Sequence, residues 1–207
     1  MLMINRTPFV SAIILAAGQS KRLGRTKQLL VYQGKTLIEW AVDTVLASSV
    51  GETIVVIGHE AESIKAVLKD KPVKLVFNPD YARGMSTSLK AGIGKVSSEA
   101  HGVLIMLGDQ PGLTPVIINE LIAAFEAGKG GIIVPVYQGR RGNPVLLGVK
   151  YKPELMALSG DVGARQVLAA HPEDVHEVEV ASNGILQDVD TEEEFRRLGE
   201  RTMGNKG

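Results

Sequence analysis

Short apolar runs alternate with amphipathic segments along the chain. Apolar runs at 12–17 and 103–107, and largely apolar stretches at 53–57 and 73–77, are typical of buried strands of a sheet. The segments between them carry apolar residues at helical spacing. Strands separated by helices imply parallel βαβ units with right-handed crossovers. The pattern therefore predicts an α/β fold with three layers, α/β/α, around a mostly parallel sheet.

Capping residues mark where several helices begin. Thr36 and Glu39 have the spacing of a capping box, which predicts a helix from 36 to about 48. Thr191 and Glu194 repeat that spacing near the end of the chain. Asp161 opens another helical pattern, where its carboxylate is suited to be the N-cap. The remaining helices are predicted at 60–69, 86–96, 114–128 and 160–170.

Glycines become frequent between 128 and 150. They punctuate two predicted strands, at 132–137 and 144–147, and a last edge strand is predicted at 177–180. We interpret 128–150 as a Gly-rich β insertion that covers the open edge of the sheet, rather than as a separate domain. Residues 1–207 are accordingly expected to form a single domain, which suits a chain of this length.

A cluster of positive charge follows the first apolar run. Gly18 lets the backbone approach a ligand, and the cations Lys21, Arg22, Arg25 and Lys27 follow with no intervening acid. Such cations and free backbone N–H groups suit a triphosphate, because arginine offers a bidentate fork and lysine a point charge. The alternative is an ordinary solvated loop. A P-loop and a dinucleotide fingerprint are both excluded, since the glycine spacing matches neither.

An acidic residue follows the apolar run at 103–107. The loops after 17, 77 and 107 are expected to converge, because ligands of parallel sheets bind at the carboxyl ends of the strands. Asp109 stands in the last of these loops, where a buried acid is costly unless its charge is compensated. A bound Mg²⁺ would compensate it. The alternative is that Asp109 accepts backbone hydrogen bonds in a turn.

The loop at 78–88 contains small and hydroxyl-bearing residues. Gly84 relieves the backbone there. Ser86 or Ser88 can either cap the helix that follows or present a hydroxyl group to a ligand. The residues alone favour neither interpretation.

The composition excludes several classes of protein. Lys plus Arg and Asp plus Glu number 23 each, so no net charge attracts nucleic acid or an anionic membrane. The chain has no cysteine, which excludes disulfides, thiolate metal sites and a cysteine nucleophile. No apolar run is long enough to span a membrane. We therefore expect a cytoplasmic protein that binds neither nucleic acid nor membrane.

The loop sequence L-A-A-G-x-S-x-R-x-G-x-x-K, which begins at Leu15, resembles the signature of nucleotidyltransferases with a glycosyltransferase-A-like fold. With the motifs described below, residues 10–198 resemble the molybdenum cofactor cytidylyltransferases, a branch of the MobA-like NTP transferases. The resemblance implies the Rossmann-like sheet of the nucleotide-diphospho-sugar transferases. It also implies an enzyme that depends on Mg²⁺.

Two motifs imply the nucleotide and metal sites. In that family G-M-S-x-S, here 84–88, lies beside the base and ribose, and D-x-D-T, here 188–191, contributes to the metal site. The resemblance thus implies that Asp190 is the second carboxylate on Mg²⁺ beside Asp109. The nucleotide-binding residues that it implies are Leu15, Ala16, Ala17, Gly18, Lys27, Asn78, Gly84, Ser86, Ser88 and Asp109.

Two further motifs imply the acceptor site. G-x-x-G-[HN]-P-V, here 139–145, lies close to the second substrate in the family, although a basic hairpin is equally well explained as solvated surface. It implies an acceptor contact for Asn143, where histidine is common. G-D-x-G-A-R, here 160–165, implies contacts for Asp161 and Arg165. The Gly-rich insertion would then stand near the acceptor site.

The family transfers CMP from CTP to the phosphate of molybdenum-molybdopterin, giving molybdopterin cytosine dinucleotide and pyrophosphate. By resemblance Arg22 would hold the β- and γ-phosphates, Lys27 would meet the charge growing on the α-phosphate, and Asp109 would hold Mg²⁺. No general base is needed, because a phosphate monoester is ionised near neutral pH. Ala17 favours cytosine, since guanylyl relatives tend to carry glycine at this place.

Two alternatives stay open. The first is a nucleotidyltransferase of the same fold that acts on another phosphate acceptor or uses GTP. The second is a non-catalytic chaperone that binds the nucleotide-bearing cofactor and delivers it to a molybdenum hydroxylase. Both metal carboxylates and Lys27 favour the enzyme, since a carrier has no need of charge placed for a transition state. The enzyme too is expected to contact a molybdenum hydroxylase transiently.

Overall fold

The structure is a computed structural model that describes residues 9–20 and 22–203; Lys21 of the predicted cationic loop lies outside the described residues. The sheet is built around β1 (Val10–Ala16), in which all seven residues are buried. β1 pairs in parallel with β4 (Glu52–Ile57) and with β6 (Gly102–Leu107). The first apolar run thus forms the centre of the sheet.

The sheet is mostly parallel, as predicted. The other strands in the described ranges are β2 (Val31–Tyr32), β3 (Lys35–Thr36), β5 (Lys74–Phe77), β7 (Ile132–Tyr137), β8 (Arg140–Arg141), β9 (Val145–Gly148) and β10 (Val175–Glu179). Strands β2 and β3 form a separate antiparallel pair, while the main sheet has the order β10-β7-β9-β6-β1-β4-β5, with β8 paired to β7. Neighbours along this order are parallel except at β9, which is antiparallel to both β6 and β7.

Helices cover both faces of the sheet. They are α1 (Leu37–Leu46), α2 (Ala61–Leu68), α3 (Met85–Ile93), α4 (Pro115–Glu126), α5 (Lys152–Ala157), α6 (Arg165–Ala170) and α7 (Glu192–Met203). Buried residues of α1, α2 and α4 form one hydrophobic cluster with Ala12 and Ile14 of β1. Those of α3, α5 and α6 form a second cluster with Ile13 and Leu15, which alternate with the first pair. The predicted α/β/α fold is confirmed. None of the helices in the described residues is long and apolar enough to cross a membrane.

Both capping boxes form where the sequence predicts them. Glu39 N–H donates to Thr36 Oγ1 (3.4 Å), and Thr36 N–H donates to Glu39 Oε2 (2.7 Å). At the start of α7, Glu194 N–H donates to Thr191 Oγ1 (3.2 Å) and Thr191 N–H donates to Glu194 Oε2 (2.9 Å). Each helix therefore begins where side chains satisfy backbone N–H groups that have no partner within the helix.

α3 begins one residue earlier than predicted and has no serine cap. Its N-cap residue is Gly84, so Ser86 and Ser88 lie inside the helix and neither side chain caps it. Both serines are buried, with 1% and 6% of their surface exposed. The capping interpretation of these serines is therefore wrong, because Gly84 holds the N-cap position and both serines lie within the first turns of the helix.

Asp161 does not cap the helix that follows it. α6 begins four residues later, at Arg165, without a side-chain cap. Asp161 Oδ1 instead accepts the backbone N–H of Met85 (3.1 Å), and Gly160 O accepts the N–H of Ser86 (3.2 Å). Gly160 turns the chain through a left-handed conformation (φ 77°), which brings this segment onto the first turn of α3.

The Gly-rich stretch contributes strands to the main sheet. The strands predicted at 132–137 and 144–147 form β7 and β9, and β9 lies between β6 and β7. The expectation that this stretch covers the open edge of the sheet is wrong, because β7 and β9 are internal strands and β10 forms that edge. The short strand β8 pairs with the end of β7. That the stretch 128–150 serves an acceptor stays a prediction.

Candidate active site

The three loops that were predicted to converge meet at one cleft of about 610 Å³. The loop after β1, the loop between β5 and α3 and the loop after β6 all line it, together with residues 161, 188 and 190. Parallel strands end at the same edge of a sheet, which is why segments so distant in sequence come together there.

The loop after β1 is folded around Ser20. This residue adopts a left-handed conformation (φ 50°), and its carbonyl oxygen accepts the N–H groups of Leu23 (3.0 Å) and Gly24 (3.2 Å). Its hydroxyl oxygen accepts the N–H of Lys27 (3.1 Å). A Cβ added at Gly18 would meet no atom within 4 Å. The loop therefore fixes the backbone of Lys27 while it leaves the backbone of Gly18 open to a ligand.

Lys27 lies between two carboxylates. Its Nζ forms one ion pair with Asp109 and another with Asp190, 2.7 Å from Asp190 Oδ1. Asp109, two residues beyond β6, is 1% exposed, whereas the side chains of Lys27 and Asp190 are 17% and 25% exposed. Val189 N–H donates to Asp109 O (3.3 Å) and so holds the C-terminal segment against the loop after β6. Three distant parts of the chain thus share one partly buried group of charges.

Burial and charge act in opposite directions on this group. Burial lowers the pKa of Lys27, but Asp109 and Asp190 outweigh it, so the net pKa is raised and the ammonium stays charged. Burial raises the pKa of Asp109, and Lys27 offsets this only in part. Burial also raises the pKa of Asp190, but Lys27 and Arg22 outweigh it and the net pKa is lowered. The pKa of Asp109 is therefore raised even though Lys27 lies beside it.

Two arginines of the loop are held by the C-terminal segment. Arg22 forms an ion pair with Asp190, and Arg25 Nη2 contacts both carboxylate oxygens of Glu192 (2.7 and 2.8 Å). The guanidinium of Arg25 also lies over the ring of Phe195, 5.9 Å from its centroid. The Arg25–Glu192 pair, whose side chains are 52% and 67% exposed, adds little stability. Both arginines set where the loop stands relative to the C-terminal segment.

The end of β1 and the residues after it contribute to the cleft. Leu15 of β1 lines it, as do Ala17 and Gly18 beyond the strand. Ala16 does not, because successive strand residues point to opposite faces, and it packs in the hydrophobic cluster with α1 and α4. A Cβ added at Gly58 would lie 2.9 Å from the Ala17 methyl group, so Gly58 lies close to Ala17.

Only part of the predicted nucleoside site faces the cleft. Gly84 and Ser88 line it, whereas Asn78 and Ser86 are not among its lining residues. Asn78 is 3% exposed, and its Nδ2 donates to Thr87 Oγ1 (2.9 Å) and Ser88 Oγ (3.0 Å). Asn78 therefore orders the loop that faces the cleft.

The three predicted acceptor residues are not brought to one place on the cleft wall. Asp161 lines the cleft. Asn143 is half-buried outside the lining, where its N–H donates to Ile185 O (3.0 Å), and Arg165 is exposed at the start of α6. Acceptor contacts for these residues stay a prediction.

Sequence reasoning missed several residues of the cleft, of which Asp188 is the most informative. Asp188 and Asp190 both line the cleft, while Val189 between them is 3% exposed and packs in a hydrophobic cluster. Residues two apart share a face of an extended segment, so the D-x-D spacing could have revealed Asp188. Tyr81 and Arg83 also line the cleft. No sequence pattern distinguished them from other loop residues.

The carboxylates fit a divalent cation that arrives with a substrate. Among the described residues no group of three or more His, Asp and Glu side chains is placed to hold a metal. Asp109 and Asp190 nevertheless both face the ammonium of Lys27, and Asp109 Oδ2 is buried without a hydrogen bond of good geometry. Mg²⁺ commonly takes one or two carboxylates and completes its shell with water and phosphate oxygens. The donor set therefore fits Mg²⁺ bound together with a nucleotide.

The fold is the glycosyltransferase-A-like fold, and the chain is a nucleotidyltransferase by its family. Residues 12–175 match the MobA-like NTP transferase domain, and the chain belongs to that family.

The chain is similar to several known proteins along nearly its whole length. It is 34% identical to the nicotine blue oxidoreductase of Paenarthrobacter nicotinovorans over 200 residues. The aligned region covers 92% of this chain and 97% of that protein. It is 28% identical over 193 residues to the molybdenum cofactor cytidylyltransferase of Escherichia coli strain K12, covering 93% and 96%. The family thus includes proteins related to molybdenum cofactor nucleotidyltransferases.

Solved structures agree with this assignment. The crystal structure of Rv0371c from Mycobacterium tuberculosis H37Rv superposes with a TM-score of 0.86 at 30% identity, covering 94% of this chain and 99% of that one. A second structure of Rv0371c, in complex with manganese, has a TM-score of 0.81 at 28% identity and covers 93% and 98%. A related protein with this fold has therefore been crystallised with a divalent metal.

Proposed function

We propose that this protein transfers CMP from CTP to the phosphate of molybdenum-molybdopterin, giving molybdopterin cytosine dinucleotide and pyrophosphate in a reaction that depends on Mg²⁺. The observation that carries the proposal is Lys27, ion-paired with the buried Asp109 at the end of a cationic loop. Membership of the family supports nucleotidyl transfer. The 28% sequence identity to the Escherichia coli cytidylyltransferase supports the choice of substrates.

The reaction joins two phosphates. An oxygen of the acceptor's phosphate monoester attacks the α-phosphorus of CTP, the bond from that phosphorus to the bridging oxygen breaks, and pyrophosphate leaves with the electron pair. No proton has to be removed, because a phosphate monoester is largely ionised near neutral pH. The protein's task is therefore to position the phosphates and to neutralise their charge.

The chain's own cations are suited to this task. Lys27 would neutralise charge on the α-phosphate, and its partly buried surroundings strengthen that interaction. Arg22 reaches the cleft from its rim, with a side chain that is 71% exposed, and would hold the departing pyrophosphate. Mg²⁺ held by Asp109 and Asp190 would neutralise further phosphate charge.

Ala17 supports a pyrimidine nucleotide. Ala17 lines the cleft and is 3% exposed, and Gly58 lies close to its methyl group. The cleft therefore has less room at this point than a glycine would leave. Less room favours cytosine over the larger guanine.

The test is pyrophosphate release with Mg²⁺ and molybdenum-loaded molybdopterin, comparing CTP, GTP, ATP and UTP, with Asp109→Asn as the inactive control. Release with CTP alone supports the proposal. Release with GTP keeps the mechanism and contradicts the choice of base. No release from wild-type protein that binds CTP contradicts the choice of acceptor and favours another phosphate acceptor or a carrier.

One observation favours a second candidate, an oxidation–reduction reaction: the 34% identity with the nicotine blue oxidoreductase. The chain has no cysteine to serve as a redox group, and NADH and NADPH are the electron donors to be tried, although the chain lacks the glycine fingerprint of dinucleotide-binding loops. The test follows the oxidation of these nucleotides with a dye as electron acceptor. Oxidation without pyrophosphate release would favour this candidate, and pyrophosphate release without oxidation would exclude it.

A further inference from the structure

The carboxylates suited to a divalent cation are already paired with the chain's own cations. Lys27 Nζ pairs with both Asp109 and Asp190, and Arg22 pairs with Asp190 as well. A free divalent cation must therefore compete for these oxygens with two cations that are tethered beside them. Such tethered groups have a high effective concentration, so a free ion competes poorly with them.

Lys27 and Arg22 are also the cations that the proposed function assigns to the phosphates. A nucleotide without metal would draw both away from the carboxylates. Asp109, which is 1% exposed, would then be left buried without a counter-charge, and an unpaired buried charge is costly. A metal without nucleotide would in turn leave Lys27 and Arg22 unpaired beside another cation. Either ligand alone thus leaves like charges uncompensated.

We propose that the ion pairs of Lys27 and Arg22 with Asp109 and Asp190 keep these carboxylates from binding a metal in the free protein, which we call the closure of the carboxylate pair. The ligand that binds well is then the metal–nucleotide complex, and neither component alone. This rests on the proposed function for the identity of the nucleotide. When the complex binds, Lys27 and Arg22 pass from the carboxylates to the phosphates, and Asp109 and Asp190 become free for the metal. Metal and nucleotide therefore raise each other's affinity, and by linkage they do so by the same factor.

The loop offers a matched pair of variants for testing this closure. Arg22 and Arg25 carry the same charge in the same loop, but Arg22 pairs with Asp190 whereas Arg25 pairs with Glu192. Their side chains are 71% and 52% exposed, so either can be replaced by methionine without opening a cavity. Only the Arg22 substitution removes a cation from the carboxylate pair.

The first experiment measures Mn²⁺ binding without nucleotide, by the electron paramagnetic resonance of free Mn²⁺. Arg22→Met should bind Mn²⁺ about fivefold more tightly than wild type, at the lower end of common coupling factors. Arg25→Met should bind it as wild type does. The double variant Arg22→Met/Asp190→Asn should lose the gain. No gain in Arg22→Met, or an equal gain in Arg25→Met, would overturn the proposal.

The second experiment measures CTP binding to wild-type protein by calorimetry, once with chelator and once with saturating Mn²⁺. Affinity should rise at least about fivefold with the metal. Equal affinity in both conditions would overturn the closure while leaving the proposed function in place. No binding of CTP in either condition would contradict the proposed function, and the Mn²⁺ measurements without nucleotide would still decide the closure.

Discussion

Asp161 Oδ1 accepts a hydrogen bond from the backbone N–H of Met85 at 3.1 Å, although 76 residues separate the two in sequence. The backbone approaches closely here, since a Cβ added at Gly84 would lie 2.5 Å from Gly160 O. Met85 and Gly84 line the cleft, so the segment before α6 helps to set the position of one cleft wall. The N-terminus of α3 is satisfied by this segment and is not left for a ligand phosphate.

Replacing Asp161 should therefore destabilise the protein through the loss of a cap. Asp161→Ala should lower the free energy of unfolding by about 0.5–2 kcal/mol, the usual cost of a lost N-cap oxygen. Asp161→Asn keeps an oxygen acceptor and should lose clearly less. Urea denaturation of both variants measures the difference, and an Asp161→Ala variant as stable as wild type would show that the hydrogen bond contributes nothing. If Asp161 also contacts the acceptor through its charge, Asp161→Asn should raise the KM for the acceptor.

Replacing Lys27 should lower the rate of the chemical step much more than the affinity for the nucleotide. Lys27→Met should lower kcat about 10²- to 10³-fold, which is typical for the loss of one group that stabilises transition-state charge. The variant also leaves Asp109 without its partner, so the double variant Lys27→Met/Asp109→Asn serves as the control. It should recover stability without recovering activity. Single-turnover pyrophosphate release and thermal unfolding separate the two effects. A kcat within a fewfold of wild type would mean that Lys27 does not reach the reacting phosphate.

Gly18 should be needed for ligand approach and not for folding. Its backbone φ is not left-handed, and an added Cβ would meet no atom within 4 Å. Gly18→Ala should thus leave the melting temperature unchanged but weaken CTP binding, because the methyl group would occupy space at the cleft wall. Gly199→Ala is the matched control, since its added Cβ also meets no atom within 4 Å and it does not line this cleft. Unchanged CTP affinity in Gly18→Ala would contradict a close backbone approach.

Local patterns predicted the parts of this fold that depend on neighbours in sequence. The apolar run of β1 and the Thr36–Glu39 box each need only a few adjacent residues, and both form as predicted. The convergence of the three loops was also predictable, because parallel strands end at one edge of the sheet. Asp109 and Lys27 lie side by side because they follow β6 and β1, two neighbouring parallel strands that end at the same edge.

The remaining features depend on contacts between distant segments. Asp161 has the spacing of an N-cap for its own helix, yet its partner is Met85, and no local signal encodes that choice. The antiparallel insertion of β9 between β6 and β7 is equally invisible in the apolar pattern, which marks strands but not their order. Asn78 and Ser86 look like ligand residues in sequence, and only their packing shows that they do not line the cleft.

Acid should weaken a structural contact of Asp174, which lies away from the cleft. This carboxylate pairs with Lys150 (2.7 Å), accepts the hydroxyl of Tyr151 and accepts the N–H of Gly131 (3.0 Å). These contacts, with Lys150 the largest, lower its pKa from 3.8 to about 2. The stabilisation is therefore fully present above pH 3.8 and is lost as the pH falls through about 2.

The variant Asp174→Asn tests this directly. It should lower the free energy of unfolding near neutral pH by roughly 1 kcal/mol, a modest figure because the carboxylate is partly exposed to solvent. It should also flatten the dependence of stability on pH between 3.8 and about 2. Chemical denaturation at several pH values measures both effects. An acid dependence as steep as that of wild type would assign the acid sensitivity to other carboxylates.

Ala17 should control the choice of base through the volume of one methyl group. Ala17→Gly removes the methyl group of a residue that lines the cleft, and should raise the ratio of kcat/KM for GTP over CTP by about tenfold, the discrimination that one such group commonly gives. Ala16→Gly is the matched control, because it removes the same group from the adjacent residue, which is 0% exposed and packs in the core. The control should lose stability and keep its nucleotide preference. If both variants shift the nucleotide preference equally, the effect comes from a loosened strand end. If neither variant shifts it, the selectivity lies with the loop at 81–88, whose residues Tyr81, Arg83 and Met85 line the same cleft.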